Sequence, residues 1–400
     1  MNRPSARGAF YVFSPARVTQ SLDLWKTELP SIKPFYAVKC NPDPCILQHL
    51  YDLDVGFDCA SRRELQSVSD LSRLGPADRI IYANPCKSPQ DIRAATDMMS
   101  PVTVVDSVEE VEKLSNYSGG ALVRIAVDDK NSLMPFSSKF GAEDVELIAQ
   151  AAKQYALDIR GASFHVGSGC LSGKSYERAI DAAHKTLSLI QKAGHVEANT
   201  IDIGGGYIPH ETDFKLKTKH IRDAMMRVNM SEMAHDAGID WIAEPGRFFA
   251  ENAFDFFVQV IGKKEGSKGL CYTIDDSLYG QFSSIIFDHA TPSWVRIQQG
   301  VERRKRKRLP GTLFGRTCDS VDVIARCEQM EELEVGDWLW FSNMGAYTRA
   351  TASEFNGFPK PDVFIDETDA LLGFKPLTFI EFGQNGVTYP KPITVKDLWE

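Results

Sequence analysis

The chain of 400 residues is too long for one ordinary core, and its 43% hydrophobic and 25% charged residues are typical of a globular protein with two domains. Its formal net charge of −9 argues against general nucleic-acid binding, and no run of about 18 apolar residues is present to cross a membrane. The eight cysteines form no Cys-x-x-Cys pair or zinc-like spacing, so we expect free thiols, no metal site and a cytoplasmic location.

Short apolar runs alternate with helical patterns between residues 15 and 250, which we predict as the first domain. The predicted strands are 34–38, 55–58, 80–83, 101–105, 121–126, 159–165, 201–203 and 241–243. The predicted helices between them are 45–53, 62–74, 89–98, 107–115, 144–155, 175–193 and 218–237. This alternation predicts an α/β fold, a parallel (β/α)8 barrel of the TIM type. A doubly wound sheet is the alternative, because alternation alone does not separate the two.

The sequence pattern changes in residues 251–400. Apolar runs at 254–261, 269–274, 322–325 and 338–341 are separated by turn residues without helical spacers. This pattern predicts a mainly antiparallel β domain, to which residues 1–14 are expected to contribute a strand at 9–13. The basic run from Arg303 to Arg308 lies in this domain. We interpret it as a solvated loop between strands rather than a nuclear-import signal or a patch for an anionic partner.

Lys39 ends the short apolar run 34–38 and is followed at once by Cys40, Asn41 and Pro42. A lysine at the end of a buried strand either extends its amine to water or has its pKa lowered by burial. A neutral amine can form a Schiff base with a carbonyl compound. Lys39 is therefore a candidate for covalent chemistry or a plain strand-end lysine, and this segment alone does not separate the two.

Three glycines, Gly204 to Gly206, follow the apolar strand 201–203. Glycine lets backbone N–H groups approach an anion, and loops after late barrel strands commonly bind phosphate. Glu244 and Arg247 end the next strand, where the arginine suits the same phosphate and the glutamate suits a protonated ring nitrogen. A tight turn and a local salt bridge are the alternatives.

Other polar residues stand at strand ends or in small-residue loops. His165 precedes a Gly-Ser-Gly loop, so its ring suits stacking on a cofactor and Ser168 suits a phosphate, although a buried structural histidine is the alternative. In the second domain Cys318 lies beside Asp319 and is either a proton donor or a structural thiol. Tyr347 is a second candidate phosphate ligand or a core tyrosine.

Taken in order, these segments resemble eukaryotic-type ornithine decarboxylase, a family of pyridoxal-phosphate (PLP) enzymes with an alanine-racemase-like barrel. The matching segments run from residue 34 to 358 and are PFYAVKCN, GFDCAS, RIIYANPCK, SFHVGSGC, IDIGGGY, AEPGRFF, FDHA, GRTCDSVD, VGDW and NMGAYT with FNGF. The resemblance implies a fold-type III PLP enzyme, a barrel followed by a β domain.

The resemblance also implies a role for each candidate residue. Lys39, Cys318, His165 and Glu244 are the implied catalytic residues: Lys39 carries PLP covalently, Glu244 pairs with the pyridine nitrogen, and Cys318 of the partner subunit protonates the substrate carbon. The other implied cofactor-binding residues, beyond these, are Asp58, Arg124, Ser168, Gly205, Gly206, Arg247 and Tyr347. The implied substrate-binding residues, at a site built by a homodimer, are Asp288, Asp319 and Tyr279.

The function implied is PLP-dependent decarboxylation of a basic L-amino acid, L-ornithine to putrescine in polyamine biosynthesis. Three alternatives stay open: a lysine/ornithine decarboxylase, a decarboxylase of an ornithine-like intermediate in specialised metabolism, and an inactive regulator that binds antizyme, the family's regulatory protein. Inactive relatives lose site residues that this chain retains. The departures from the family pattern at Arg316, Ser320, 275–277 and Phe287 flank the substrate pocket, so they leave the substrate open rather than the reaction class.

Overall fold

The computed structural model describes residues 8–71, 79–98, 101–232, 238–266, 269–297 and 306–366. By its internal contacts the chain divides into two units. The first, which we call the barrel unit, is Thr19–Phe249, and the second, the β unit, combines Met1–Val18 with Ala250–Glu400. No helix in the described ranges is both long and apolar enough to cross a lipid bilayer.

Strands and helices are numbered in chain order. The strands are β1 (Phe10–Phe13), β2 (Ile32–Ala37), β3 (Gly56–Cys59), β4 (Ile80–Tyr82), β5 (Val102–Val105), β6 (Ala121–Arg124), β7 (Ser132–Met134), β8 (Ile159–Ser163), β9 (Ser168–Cys170), β10 (Thr200–Asp202), β11 (Asp240–Ala243), β12 (Phe254–Gly266), β13 (Gly269–Ile274), β14 (Trp294–Ile297), β15 (Arg308–Phe314), β16 (Val323–Glu331), β17 (Trp338–Phe341) and β18 (Asp362–Ile365). The helices are α1 (Pro15–Glu28), α2 (Pro44–Asp52), α3 (Arg62–Ser69), α4 (Pro89–Asp97), α5 (Val108–Lys113), α6 (Val145–Gln154), α7 (Gly173–Lys192), α8 (Glu211–Glu232), α9 (Arg247–Ala250) and α10 (Ser284–Phe287).

Eight parallel strands close a ring in the barrel unit. Their order is β2, β3, β4, β5, β6, β8, β10 and β11, and β11 pairs with β2 to complete the ring. Closure confirms the predicted (β/α)8 barrel and excludes the doubly wound sheet, which would keep two open edges. Because all eight strands run in one direction, their carboxyl ends, where barrels place their active sites, meet at one face.

Short polar residues fix where five helices of the barrel unit begin. The side chains of Asp43, Ser61, Ser88, Ser107 and Asp144 each accept a backbone N–H from the first turn of α2, α3, α4, α5 and α6, respectively. The first N–H groups of a helix have no partner within the helix, so such caps contribute about 1 kcal/mol each. Apolar strand residues then fill the interior, in a buried cluster of Phe35, Ile81, Val104, Leu122 and Ile242.

The β unit contains a mixed sheet of eight strands. Six follow the order β14-β17-β12-β13-β15-β16, and β1 pairs with both β12 and β18. The pairs β1–β18 and β13–β15 are parallel, whereas the others are antiparallel. The predicted second domain is therefore a mixed sheet in which antiparallel pairs predominate. Phe10 of β1 stacks on Phe257 at a centroid distance of 5.0 Å, which places the N-terminal strand in the core of this unit.

Helix α1 was not among the predicted elements, although the sequence carries its signal. Val18, Leu22 and Trp25 recur at the spacing of one helix face, and all three are buried. Helix α8 begins at Glu211, earlier than the predicted residue 218, because Phe214 is buried and packs against Phe248 at 4.4 Å. The antiparallel ribbon of β7 and β9 was also not predicted, since three-residue strands carry almost no periodicity.

The predicted basic run lies partly outside the described residues, which begin again at Arg306. Arg306 forms an ion pair with Asp337, with Nη2 3.2 Å from Oδ1. The carbonyl oxygen of Lys307 accepts the N–H of Glu332 at 2.9 Å, and Arg308 begins β15. The described half of the run is therefore tied to neighbouring segments of the β unit.

Candidate active site

Lys39 lies just past the end of β2, in a short 3-10 turn, Val38–Cys40, rather than directly at the end of a strand. Its Nζ lies 2.8 Å from Oδ2 of Asp58, a residue of β3. The lysine side chain is 38% exposed, whereas that of Asp58 is 0% exposed. The amine thus forms an ion pair with a buried carboxylate, while part of the lysine side chain is exposed.

Two buried carboxyls lie at the ends of adjacent strands, Asp202 at the end of β10 and Glu244 just after β11. Asp202 Oδ1 accepts the Gly204 N–H at 2.8 Å, and burial raises the pKa of Asp202 to about 7. Burial, followed by the charges of Asp202 and Asp58, raises the pKa of Glu244 well above its usual range. Glu244 Oε1 has no hydrogen-bond partner among the described residues. A buried carboxyl of this kind becomes a stable anion only beside a cation, such as a protonated ring nitrogen.

The loop after β10 has no room for side chains. Gly204 and Gly206 have φ values of +64° and +100°, a region that favours glycine. A Cβ on Gly206 would lie 2.4 Å from the Gly167 carbonyl oxygen, and one on Gly205 would lie 2.9 Å from Nε2 of His165. A loop without side chains lets its backbone N–H groups approach an anion, as a phosphate cradle requires.

Arg247 and Ser168 supply polar side chains to the same part of the barrel. Arg247 Nη2 lies 3.5 Å from Ser168 Oγ. The N–H of Cys170, two residues beyond Ser168, donates to the Gly206 carbonyl oxygen at 3.2 Å, which joins β9 to the glycine loop. A guanidinium and a hydroxyl beside a glycine loop are groups that bind a phosphate.

His165 follows β8, and its Nδ1 accepts the N–H of Gly167 at 2.9 Å. Burial, and then the charges of Arg124 and Lys39, lower the pKa of His165 well below its usual range. Because Nδ1 is an acceptor, the neutral ring carries its proton on Nε2. Phe136 meets the imidazole edge-on at 4.9 Å, so the ring is fixed and uncharged, as stacking on an aromatic cofactor requires.

In the β unit, the phenol of Tyr279 donates a hydrogen bond to Oδ2 of Asp319. This bond raises the pKa of Tyr279 and lowers the pKa of Asp319. Cys318 is exposed, and its N and Sγ lie 3.3 and 3.6 Å from Oδ1 of Asn356. The structure thus brings together Tyr279, Asp319 and Cys318, which were predicted from the sequence. It adds Asn356, which was not.

Asp322 fixes the loops that carry these residues. It is buried, and its Oδ1 accepts the N–H of Leu278 at 2.8 Å. Its Oδ2 accepts the N–H and the hydroxyl of Thr317 at 3.0 and 2.6 Å. One carboxylate therefore ties the Tyr279 loop to the Cys318 loop.

Asp288 and Tyr347, two further predicted residues, also belong to the β unit. Asp288 follows α10, and its N–H donates to the Ser284 carbonyl oxygen at 2.9 Å. Tyr347 has a φ of +55°, which is uncommon outside glycine, and its carbonyl oxygen accepts the Thr351 hydroxyl at 2.7 Å. Asp288 is expected to contact an ammonium group of the substrate, and Tyr347 is expected to contact a phosphate. Both contacts stay predictions.

Sequence reasoning assigned no role to Asp202, Asp276 or Asn356. Asp202 is a polar residue inside the apolar strand that precedes the glycines. A carboxyl at such a position is itself an indication of a functional role. Asp276 is buried, and its Oδ1 accepts the N–H groups of Ser277 and Gln281 at 2.7 Å. Asn356 precedes a glycine, and such a pair predicts a turn with positive φ.

The barrel unit matches a family model described as pyridoxal-dependent decarboxylase, pyridoxal binding domain, over residues 15–251. The chain is also 39% identical over 359 residues to the chloroplastic ornithine decarboxylase of Nicotiana glauca, which covers 87% of this chain and 81% of that protein. The chain belongs to the pyridoxal-dependent ornithine decarboxylase family. The predicted resemblance is confirmed, and with it a fold-type III PLP decarboxylase of basic amino acids.

Solved structures and another relative widen the range of substrates and activities in this family. The arginine decarboxylase of Paramecium bursaria Chlorella virus has a TM-score of 0.83 at 35% identity, covering 90% of this chain and 96% of that one. A lysine/ornithine decarboxylase of Vibrio vulnificus, complexed with cadaverine, has a TM-score of 0.79 at 31% identity, covering 89% and 94%. Antizyme inhibitor 2 of Xenopus laevis is 37% identical, covering 89% of this chain and 80% of that protein.

The residues in the barrel fit PLP. A bound pyridinium would give the buried Glu244 Oε1 the partner it lacks. The Lys39 side chain is partly exposed, so that an aldehyde can approach it. The glycine loop with Arg247 offers the cradle that a phosphate needs.

Proposed function

We propose that this chain decarboxylates L-ornithine to putrescine, a step of polyamine biosynthesis. The observation that carries this proposal is the pairing of an exposed thiol, Cys318, with an adjacent carboxylate, Asp319, held by Tyr279. The thiol is an acid for the reacting carbon, and the carboxylate is a partner for a distal ammonium. The identity to an ornithine decarboxylase over most of the chain supports ornithine as the substrate.

In this proposal the barrel unit binds the cofactor. Lys39 would hold PLP covalently, and Asp58 is its ion-pair partner in the protein without PLP. His165 would stack on the ring, and burial, followed by the positive charge of Arg124, keeps the pKa of His165 low. The residues of the barrel unit that would bind the phosphate are Ser168, Gly205, Gly206 and Arg247. Tyr347 stays a phosphate ligand implied by the resemblance.

When bound, PLP supplies an electron sink for the electron pair left by cleavage of the bond between Cα and the carboxylate. Glu244 keeps a proton on the ring nitrogen, because ionisation of this buried carboxyl becomes favourable beside a cation. Cys318 then gives its Sγ proton to Cα and takes a proton back from solvent before the next turnover. The protein thus contributes a fixed charge at one end of the ring and a proton at the reacting carbon.

The distal ammonium of the substrate is received by Asp319 and Asp288. The hydrogen bond from Tyr279 lowers the pKa of Asp319, which keeps that carboxylate ionised and oriented. Once an enclosed site desolvates this carboxylate, a neutral side chain would leave it unpaired, so leucine and norvaline are rejected.

Lysine and arginine are the competing substrates, because related structures are a lysine/ornithine decarboxylase and an arginine decarboxylase. Ornithine and lysine differ by one methylene, which is worth only about 1–3 kcal/mol in a pocket. We expect ornithine to be the best substrate and lysine a measurable second. A decarboxylase of an ornithine-like intermediate in specialised metabolism would have a low kcat/KM for both ornithine and lysine.

We further propose a homodimer in which two sites are shared between subunits. Cys318 is exposed in the single chain, which leaves its thiol accessible to the barrel unit of a second copy. Val321 is 58% exposed and Phe355 is 40% exposed in the same unit, an apolar surface that a second copy would cover.

An inactive antizyme-binding regulator is the second candidate function, because antizyme inhibitor 2 of Xenopus laevis is a relative. The Lys39–Asp58 pair and the Cys318–Asp319 pair argue against it, since a regulator has no need of either. We propose antizyme as a protein partner of the active enzyme. We place the reaction in the cytoplasm, where the eight free thiols of the chain would stay reduced.

One assay tests the proposal. Purified protein is incubated with PLP and, separately, L-ornithine, L-lysine, L-arginine or diaminopimelate, and CO2 release is measured. We expect kcat/KM to be highest for ornithine and about 10- to 200-fold lower for lysine. A preference for arginine or diaminopimelate would overturn the substrate, and PLP absorbance without any CO2 release would favour the regulator.

A further inference from the structure

The segment 353–357 is clamped to the loop that carries Tyr279. The N–H and the hydroxyl of Ser353 donate to the Tyr279 carbonyl oxygen at 2.8 and 3.1 Å. The ring of Phe355 stacks on the ring of Tyr279 with centroids 4.2 Å apart and planes at 26°. Asn356 follows Phe355, so the Asn356 side chain belongs to a segment that makes three contacts with Tyr279 of the proposed substrate site.

Asn356 has a φ of +58° and a ψ of 13°, a left-handed conformation that asparagine tolerates better than most residues. Its Oδ1 lies 3.3 Å from the N of Cys318 and 3.6 Å from the Sγ of Cys318. A backbone N–H can only donate, so the amide atom that faces Cys318 must be the oxygen and not the nitrogen. The sulfur therefore also faces an acceptor, to which it can donate a hydrogen bond only as the protonated thiol.

We propose that Asn356 is a positioning residue that holds Cys318 in its protonated thiol form, aligned by a second hydrogen bond to its backbone. This inference rests on the proposed role of Cys318 as the proton donor to Cα. A hydrogen bond accepted from the neutral form of a group opposes its ionisation. The amide oxygen thus faces the thiol proton that Cys318 is proposed to give to carbon.

Other charged groups also lie near Cys318. Asp319 is the next residue, Asp322 anchors the same loop, and Tyr279 is held by Asp319. The guanidinium of Arg316 lies 3.8 Å over the ring of Phe358. All of these remain in a variant at position 356, so a change that follows substitution there reports the amide oxygen.

The test is the pH profile of Cys318 alkylation by iodoacetamide in the PLP-loaded protein, read by peptide mass spectrometry. Asn356→Gly removes the acceptor and accepts the positive φ, whereas Asn356→Asp retains both an acceptor and the backbone conformation. Asn116→Gly is the matched control, because Asn116 also has a positive φ (+61°) and belongs to the barrel unit. Cys318→Ala identifies the labelled peptide.

We expect the Asn356→Gly profile to move to lower pH by about 0.5–1 unit, which makes alkylation about three- to tenfold faster near neutral pH. The Asn356→Asp profile should stay in place or move to higher pH, and that of Asn116→Gly should not move. A loop that is merely loosened would raise the rate equally at every pH, and this result, or superimposable profiles, would overturn the inference. The readout needs no turnover, so a chain that fails to decarboxylate ornithine refutes the proposed function separately.

Discussion

At the scale of single residues, the amine of Lys39 is the one we expect to carry PLP. Its Nζ lies 2.8 Å from a buried carboxylate, and its side chain is 38% exposed. Borohydride reduction of the PLP-loaded protein should place a pyridoxyl group on the Lys39 peptide, and Lys39→Ala should abolish that label. Lys33→Ala is the matched control, because that side chain is 71% exposed and pairs with Asp240. A label found on Lys33 or Lys139 would refute the assignment.

Glu244 is the second residue whose role a single substitution tests. Glu244→Gln keeps the shape of the side chain but removes the negative charge that we expect to hold a proton on the ring nitrogen. Loss of one electrostatic stabiliser of this kind costs about 10²–10³-fold in kcat, whereas PLP retention should change far less. The measurements are kcat with ornithine and the absorbance of bound PLP after dialysis. Unchanged turnover would mean that another group protonates the ring.

At the scale of structural elements, the loop after β10 should lose phosphate binding when it gains a methyl group. Gly206→Ala places a Cβ 2.4 Å from a carbonyl oxygen at a φ of +100°. Gly336→Ala is a matched control with nearly the same φ, +95°, and no atom within 4 Å of the added Cβ. Both should lose about 1 kcal/mol of stability to the backbone conformation. Only Gly206→Ala should also weaken PLP binding, measured by equilibrium dialysis; equal affinities would exclude this loop as the cradle.

The elements also show what the sequence could and could not reveal. Each of the eight predicted barrel strands is present within two residues at either end, because strands buried on both faces are continuous apolar runs. The β7–β9 ribbon is held by pairing between segments more than 30 residues apart, which no local pattern encodes. Asn356 was missed for the same reason, since its contact with Cys318 joins residues that are 38 positions apart.

At the scale of the whole molecule, the sequence predicts parts more readily than their assembly. Strand ends carried Lys39, the glycine loop and Glu244, and barrel closure then explains why they meet at one face. The proposed substrate residues Tyr279 and Asp319 lie in loops that Asp322, a buried carboxylate, joins by three hydrogen bonds. In the proposed homodimer, a second subunit would complete the site.

A mixing experiment tests this shared site. Lys39→Ala and Cys318→Ala homodimers should each be nearly inactive, because every site lacks one essential group. If the two groups of one site come from different subunits, each heterodimer has one intact site. Equal mixing makes half of the dimers heterodimers, so it should restore about a quarter of the wild-type activity. Lys39→Ala mixed with Glu244→Gln is the matched control: both changes lie in the barrel unit, so no heterodimer has an intact site and activity should stay low. Subunit exchange is verified by capture of differently tagged chains. Exchange without recovery in the first mixture would show that Lys39 and Cys318 act within one chain.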